Sequence, residues 1–245
     1  MSFVVPRLAV LAAAAGFAML SGCTTITTSH VTELRHSTPH SKIVLMPLDV
    51  ELMEMSVGGV LEPKPEWTAA ARTFITEEVR AQKAAIGFDL EEYADNGPPD
   101  EQELVDQLVK LHAVVGKAIR QNRKPMQELH SLGEKPKWSL GEEVRVLRQK
   151  SGADYALFVH VRDSYASDGR KLVMIAGAAL KMGLMGGVQS GFASLVDLKT
   201  GDIVWFNQLG RVAGDLRARE PASETVKILF TEFPTGGAPH GDRIQ

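Results

Sequence analysis

Hydrophobic positions along the chain recur with two different periods, and each predicts a kind of element. "KIVLMPLDVEL", residues 42–52, carries a continuous apolar core from Ile43 to Met46, which predicts a strand buried on both faces. From Glu66 to Ile86 the period changes. Trp67, Ala70, Ala71, Phe74, Ile75, Val79 and Ile86 fall on one face of a helix, with Gln82 as a polar break, Pro65 at its start and Gly87 at its end. "FDLEEY", 88–93, reads as a short strand. A second helix is expected from Asp100 to about Asn122, with Leu104, Leu108, Leu111, Val115 and Ile119 inward and Pro125 as its stop. A third begins at Ser139, carries Leu140, Val144 and Leu147, and ends near Gly152.

"DYALFVHVRDSY", 154–165, alternates. Tyr155, Leu157, Val159 and Val161 point one way, Phe158 and His160 the other. "LVDLKTGDIVW" predicts a hairpin turning at Lys199 to Asp202. Between them, "KLVMIAGAALKMGLMGGVQSG" is apolar, small and glycine-rich. Leu172 to Leu180 does not alternate, which favours a central strand under helices over the 9–11 alternating residues of a membrane β-strand. A mobile apolar loop or partner surface and a membrane-inserting hairpin are the other readings. Met182, Leu184, Met185, Gly186 and Gly187 are its candidate partner or membrane surface. A charged loop spans 210–220. A last helix, opened by Pro221, carries Val226, Leu229, Phe230 and Phe233, and 235–245 is expected to be a disordered tail.

The amino terminus reads differently. Arg7 precedes Leu8 to Leu20, an uncharged run too short for a bilayer span of about 20 residues but suited to a secretory signal. The run ends Leu20-Ser21-Gly22-Cys23, which resembles the lipobox of bacterial lipoproteins. That resemblance implies cleavage after Gly22, acyl chains on Cys23 and, with Thr24 rather than Asp next, the periplasmic face of the outer membrane. It also accounts for the only cysteine in 245 residues. A lone cysteine makes no internal disulfide and no cysteine metal cluster. Several acyl chains anchor a protein stably where one does not. The expected organisation is signal 1–22, a lipid-anchored flexible tether 23–41, a single α/β domain 42–234 and the tail 235–245.

Composition narrows the function by exclusion. Removing 1–22 takes away one cation, Arg7, so the mature chain carries −4 with neutral histidines. No basic stripe with interleaved aromatics points to nucleic acid. No phosphate-binding glycine loop, zinc-protease motif or nucleophile elbow is present, since in "GVQSG" Ser190 stands one place late. His36 and His40 flank Pro39 in the tether, so no helix holds them as a metal pair, and no cofactor or metal is expected. His160 is a candidate catalytic group, although packing is the commoner role of a strand histidine. Trp67, Trp138 and Trp205 are too scattered to imply a sugar platform.

The order of elements predicts an α/β layered domain with a mixed β-sheet flanked by helices. A lipoprotein with "KIVLMPLDV" after its tether, "ADYALFVHV" in mid-chain and "VDLKTGDIVW" late resembles a periplasmic fold group. It is the group of the curli-secretion lipoprotein, the peptidoglycan-synthase activator lipoproteins and the amino-terminal domain of the Tol propeller protein. The resemblance implies a non-enzymatic docking or assembly component, held to the membrane through Cys23, with an envelope protein partner or a homo-oligomer. An oligomeric secretion or pore subunit is the alternative, and an envelope hydrolase a distant one. The helix at 100–124 is extra to the simplest form of that fold.

Overall fold

A computed structural model describes residues 26–31, 41–83, 87–94, 96–129, 137–212 and 214–234. Leu20, Ser21, Gly22 and Cys23, His36 and His40 of the tether and the expected tail at 235–245 lie outside the described residues. The strands are β1 (Ile26–Val31), β2 (Lys42–Leu45), β3 (Asp49–Met55), β4 (Leu61–Pro63), β5 (Asp89–Glu92), β6 (Tyr155–Ala166), β7 (Gln189–Asp197) and β8 (Ile203–Arg211). The helices are α1 (Pro65–Ala81), α2 (Pro99–Leu129), α3 (Arg145–Ser151), α4 (Asp168–Ala179) and α5 (Arg219–Leu229). The strands form one mixed sheet in the order β1-β8-β7-β6-β2-β5, and β3 joins β6 with β4 on its outer side.

The alternation in β6 sorts the core into two layers, as its sequence predicts. Tyr155, Leu157, Val159 and Val161 pack with Ala71, Ile75 and Val79 of α1 and Ala222, Val226 and Leu229 of α5. On the other face Ala156 and Phe158 pack with Val105 and Leu108 of α2, Val144 and Leu147. The hairpin turning at 199–202 is present, with Asp197 N–H donating to Asp202 O at 2.9 Å.

Five expectations are corrected. The strand expected over 42–52 is two strands, because Pro47 has no N–H for the ladder. β2 and β3 both run parallel to β6, but the register slips by one residue between Leu45↔Leu157 and Asp49↔His160. Part of the expected tether, Ile26–Val31, is a strand that pairs with the edge of β8. α2 continues past Pro125 to Leu129, since an internal proline removes one helix hydrogen bond without forbidding the helix. Its buried stripe is also rotated: Leu111 is exposed and His112 is buried. The third helix starts later: Ser139 forms a bridge with Asp202, a 3₁₀ turn covers Glu142–Val144, and α3 follows. The fifth is the largest. The apolar run expected as a central strand over Leu172–Leu180 is α4, capped by Ser167 Oγ accepting from Arg170 N–H at 3.2 Å. A short apolar run shows no period that separates strand from helix.

Asn207 on β8 ties α5 to the sheet. Its side-chain N–H₂ donates to the carbonyls of Ile228 and Leu229 at the carboxyl end of the helix, each at 2.9 Å; Ile228 O also accepts from Thr231 N–H at 3.2 Å. Asn207→Ala strips the buried Leu229 carbonyl of this donor, and the urea midpoint is expected to fall by the equivalent of about 1–3 kcal/mol.

Candidate functional site

The end of the sheet where β6 runs into α4 collects most of the molecule's unusual chemistry. β3 is parallel to β6, so the turn between β3 and β4 lies at that end, and Ser167 N–H donates to Met55 O at 3.0 Å. β7 starts there and β8 finishes there, with Gln189 opposite both Asp163 and Arg211. The loop after α4 folds back along it. Met182 N–H donates to Gly177 O at 2.8 Å, and Leu184 packs over Gly177. Arg170 fastens loop to turn, donating to Met185 O at 3.2 Å and to Val57 O at 3.2 Å.

Exposed large apolar side chains concentrate here. Apart from Leu111 and Val114 on α2, every one among the described residues belongs to this end: Val57, Val60 and Leu61 on the turn, Leu172, Val173 and Ile175 on α4, Leu180, Met182 and Met185 in the loop, and Val212. Leu172, Ile175 and Leu180 are 68%, 69% and 74% exposed. A contiguous patch of this kind marks a binding surface far more than scattered single residues do. Of the surface residues expected from sequence, Met182 and Met185 lie in this patch and Leu184 is half-buried beneath it. Gly186 and Gly187 line a cleft beside it. Gly187 has φ +147°, and a Cβ there would stand 2.1 Å from Ser164 O, so only glycine passes.

That cleft, of about 180 Å³, is walled by Asp163 and Tyr165 of β6, Lys171 of α4, Gln189 and Arg217. Asp163 is 1% exposed. Its Oδ2 accepts from Gln189 Nε2 at 2.6 Å and from the Tyr165 hydroxyl, which itself accepts from Leu216 N–H at 2.7 Å. Burial pushes the Asp163 carboxyl up to about 6, although the bonds from Tyr165 and Gln189 favour its ionised form. Burial and the Asp163 charge raise the Tyr165 phenol far above its usual value. Arg211 continues the network, donating Nε to Gln189 Oε1 at 2.6 Å and Nη2 to Thr225 Oγ1 at 2.6 Å. Arg217 stacks on Tyr165 at 4.0 Å and on Trp67 at 5.0 Å. The group is one carboxyl raised to about 6 and locked by polar neighbours.

The histidines lie deeper, under α2. His160 Nδ1 bonds Asp49 Oδ2 at 2.6 Å, and Arg162 Nη2 pairs with Asp49 Oδ1 at 2.7 Å. Burial raises Asp49, but the bonds and charge of His160 and Arg162 prevail and hold it at about 2. His112 Nε2 meets Ser194 Oγ at 2.8 Å, and burial lowers its imidazole to about 3. The serine, the two imidazoles and the carboxylate thus split into two pairs. Ser194, His112 and His160 are all sealed from solvent, so no substrate reaches them. Leu108, His112 and Gly116 stand four residues apart on α2, a spacing that could have placed His112 inward. The other candidates do not converge: Trp205 is core, Trp67 stands by Tyr165, and Trp138 packs near Ile119. Ser190 is half-buried in β7, opposite Arg162. Among the described residues no three metal-ligating side chains gather, and no helix is long and apolar enough to cross a membrane.

No protein-family model and no characterised protein sequence matches the chain. Among solved structures it is similar to the PelC dodecamer from Paraburkholderia phytofirmans, at 10% identity and a TM-score of 0.41 over 86% of this chain and 99% of that chain. A single-residue variant of that dodecamer gives 12% identity and 0.40 over the same shares.

Proposed function

We propose that the protein is a non-enzymatic component of the bacterial cell envelope. Acyl chains on Cys23 hold it to the periplasmic face of the outer membrane, and it works by docking. The observation that supports this reading is the bare apolar surface of α4, its following loop and the β3–β4 turn. A domain that leaves its two core layers well covered yet exposes this one end keeps it for something outside the chain. The enclosed state of His112, His160 and Ser194 favours a structural role for the groups that resemble catalytic ones.

Cys23→Ser tests the anchor. The wild-type chain is expected to take up labelled palmitate and sediment with outer membranes. The variant is expected to lose all label and to be soluble or retained on its uncleaved signal. Continued acyl labelling of the variant would sink the anchor. A turnover abolished by Ser190→Ala or His160→Gln in a folded protein would sink the non-enzymatic role.

A further inference from the structure

We propose that the exposed end is a membrane face. α4, the loop after it and the β3–β4 turn rest in the headgroup layer of the phospholipid leaflet that receives the Cys23 acyl chains. The proposal rests on the reading of Cys23 as the acylated residue.

Strand register places the anchor and the surface together. Ile26 lies opposite Gly210 on β8, Gly210 opposite Ser190 on β7, and Ser190 opposite Arg162 on β6. That row crosses the sheet four residues before β6 ends and the chain turns into α4. Cys23 precedes Ile26 by three residues, so it stands within about 10 Å of it even in a fully extended chain. Acyl chains that enter a bilayer from Cys23 bring the leaflet to this end of the domain. The opposite end presents Arg148, Asp154 and Lys199, which are polar and charged.

The charge of the surface fits the same occupant. From Gly169 to Val196 the chain has no acidic residue, and it carries Arg170, Lys171 and Lys181. Asp168, just before, is paired with Lys171 at 2.9 Å. A mature chain of net charge −4 therefore turns outward an apolar helix and loop whose remaining charges, Arg170 and Lys181, are cations. Apolar side chains flanked by long cations suit an interfacial helix, which sinks only about 5–10 Å into the headgroup boundary. The cations meet anionic phospholipid there. A second copy of the same surface fits worse, because a two-fold contact sets Arg170 and Lys181 against themselves, while the acid of α4, Asp168, is already paired with Lys171, and Glu54 beside the turn with Lys64.

The experiment uses the full lipidated chain in phosphatidylethanolamine–phosphatidylglycerol vesicles. Acylation consumes the only native thiol, so Ile175→Cys and, at the opposite end, Lys199→Cys each supply one site for an environment-sensitive fluorophore. Both positions are exposed, which leaves the core intact. Doxyl-labelled phospholipid is expected to quench the label at 175 at least about twofold more than the label at 199, as depth in the headgroup layer requires. Equally weak quenching at both sites in protein that still floats with the vesicles would overturn the membrane face and leave the anchor standing. Crosslinking of copies through position 175 without doxyl quenching would overturn it in favour of self-association. Failure to float, or a wild-type Cys23 thiol open to maleimide, would overturn the anchor itself.

Discussion

Phe192→Ala is expected to lower the unfolding free energy by about 3–5 kcal/mol, the range for emptying a buried aromatic site. Phe192 is fully buried, its ring stacked on His160 at 4.6 Å and on Phe206 at 5.6 Å, with His112 at 5.2 Å. It also sets the distance between helix and sheet. A Cβ on Gly116 of α2 would stand 2.0 Å from the Phe192 ring, so α2 approaches this closely because 116 is glycine and 192 fills the space below it. Gly116→Ala is therefore expected to destabilise the wild type by overpacking, and to be tolerated or favourable once Phe192 is alanine. Urea unfolding of the two single variants and the double variant closes the cycle. Additive losses would show that the two positions do not share the gap.

Stability is expected to change little between about pH 6.5 and 4 and to fall steeply below 4, because three groups, buried His112 and Asp163 and half-buried Asp49, act with different signs. His112 is held at about 3, below the usual imidazole value, so its contribution is complete above 6.5 and is lost as pH falls toward 3. Asp163 is held at about 6, above the usual carboxylate value. It favours the folded state below 3.8, and that gain disappears as pH rises through 6. Between 6.5 and 4 these two oppose. Asp49, at about 2, contributes fully above 3.8 and is lost as pH falls to 2, so below 4 it adds to the loss from His112. His112→Gln removes one titration, and the variant is expected to gain stability on acidification from 6.5 to 4. Asp163→Asn removes the other, and its stability is expected to fall over the same interval. Urea midpoints measured from pH 7 to 3 check both. Parallel profiles for wild type and variants would refute the assignment of these groups.

α4 shows why part of the fold was illegible. Ser167 and Asp168 are start signals for a helix, and Ala176, Ala178 and Ala179 are strong helix formers. The apolar run "LVMIAGAAL" nevertheless reads as a buried strand, because sequence rules expect apolar residues to be covered. Here they are bare. His112 shows the converse. A polar side chain does not announce a core position, and only Ser194, 82 residues away in sequence, makes its burial affordable. Of the surface read from sequence, Met182, Met185, Gly186 and Gly187 do lie at the exposed end. The Asp163–Tyr165–Gln189 network was not legible, since Gln189 reaches the two β6 residues only through the pairing of β7 with β6.

The sequence by itself determined the layered α/β class, the two faces of β6, the hairpin at 199–202 and most helix positions. These follow from burial with a local period, which repeats every two or three to four residues whatever the partner is. Tertiary structure alone decided which apolar segment remains uncovered and which polar groups are enclosed. It also decided that Ile26–Val31 joins the sheet beside β8, more than 170 residues later in the chain. Each of these depends on contacts between distant segments, and no period within a segment records what will lie against it.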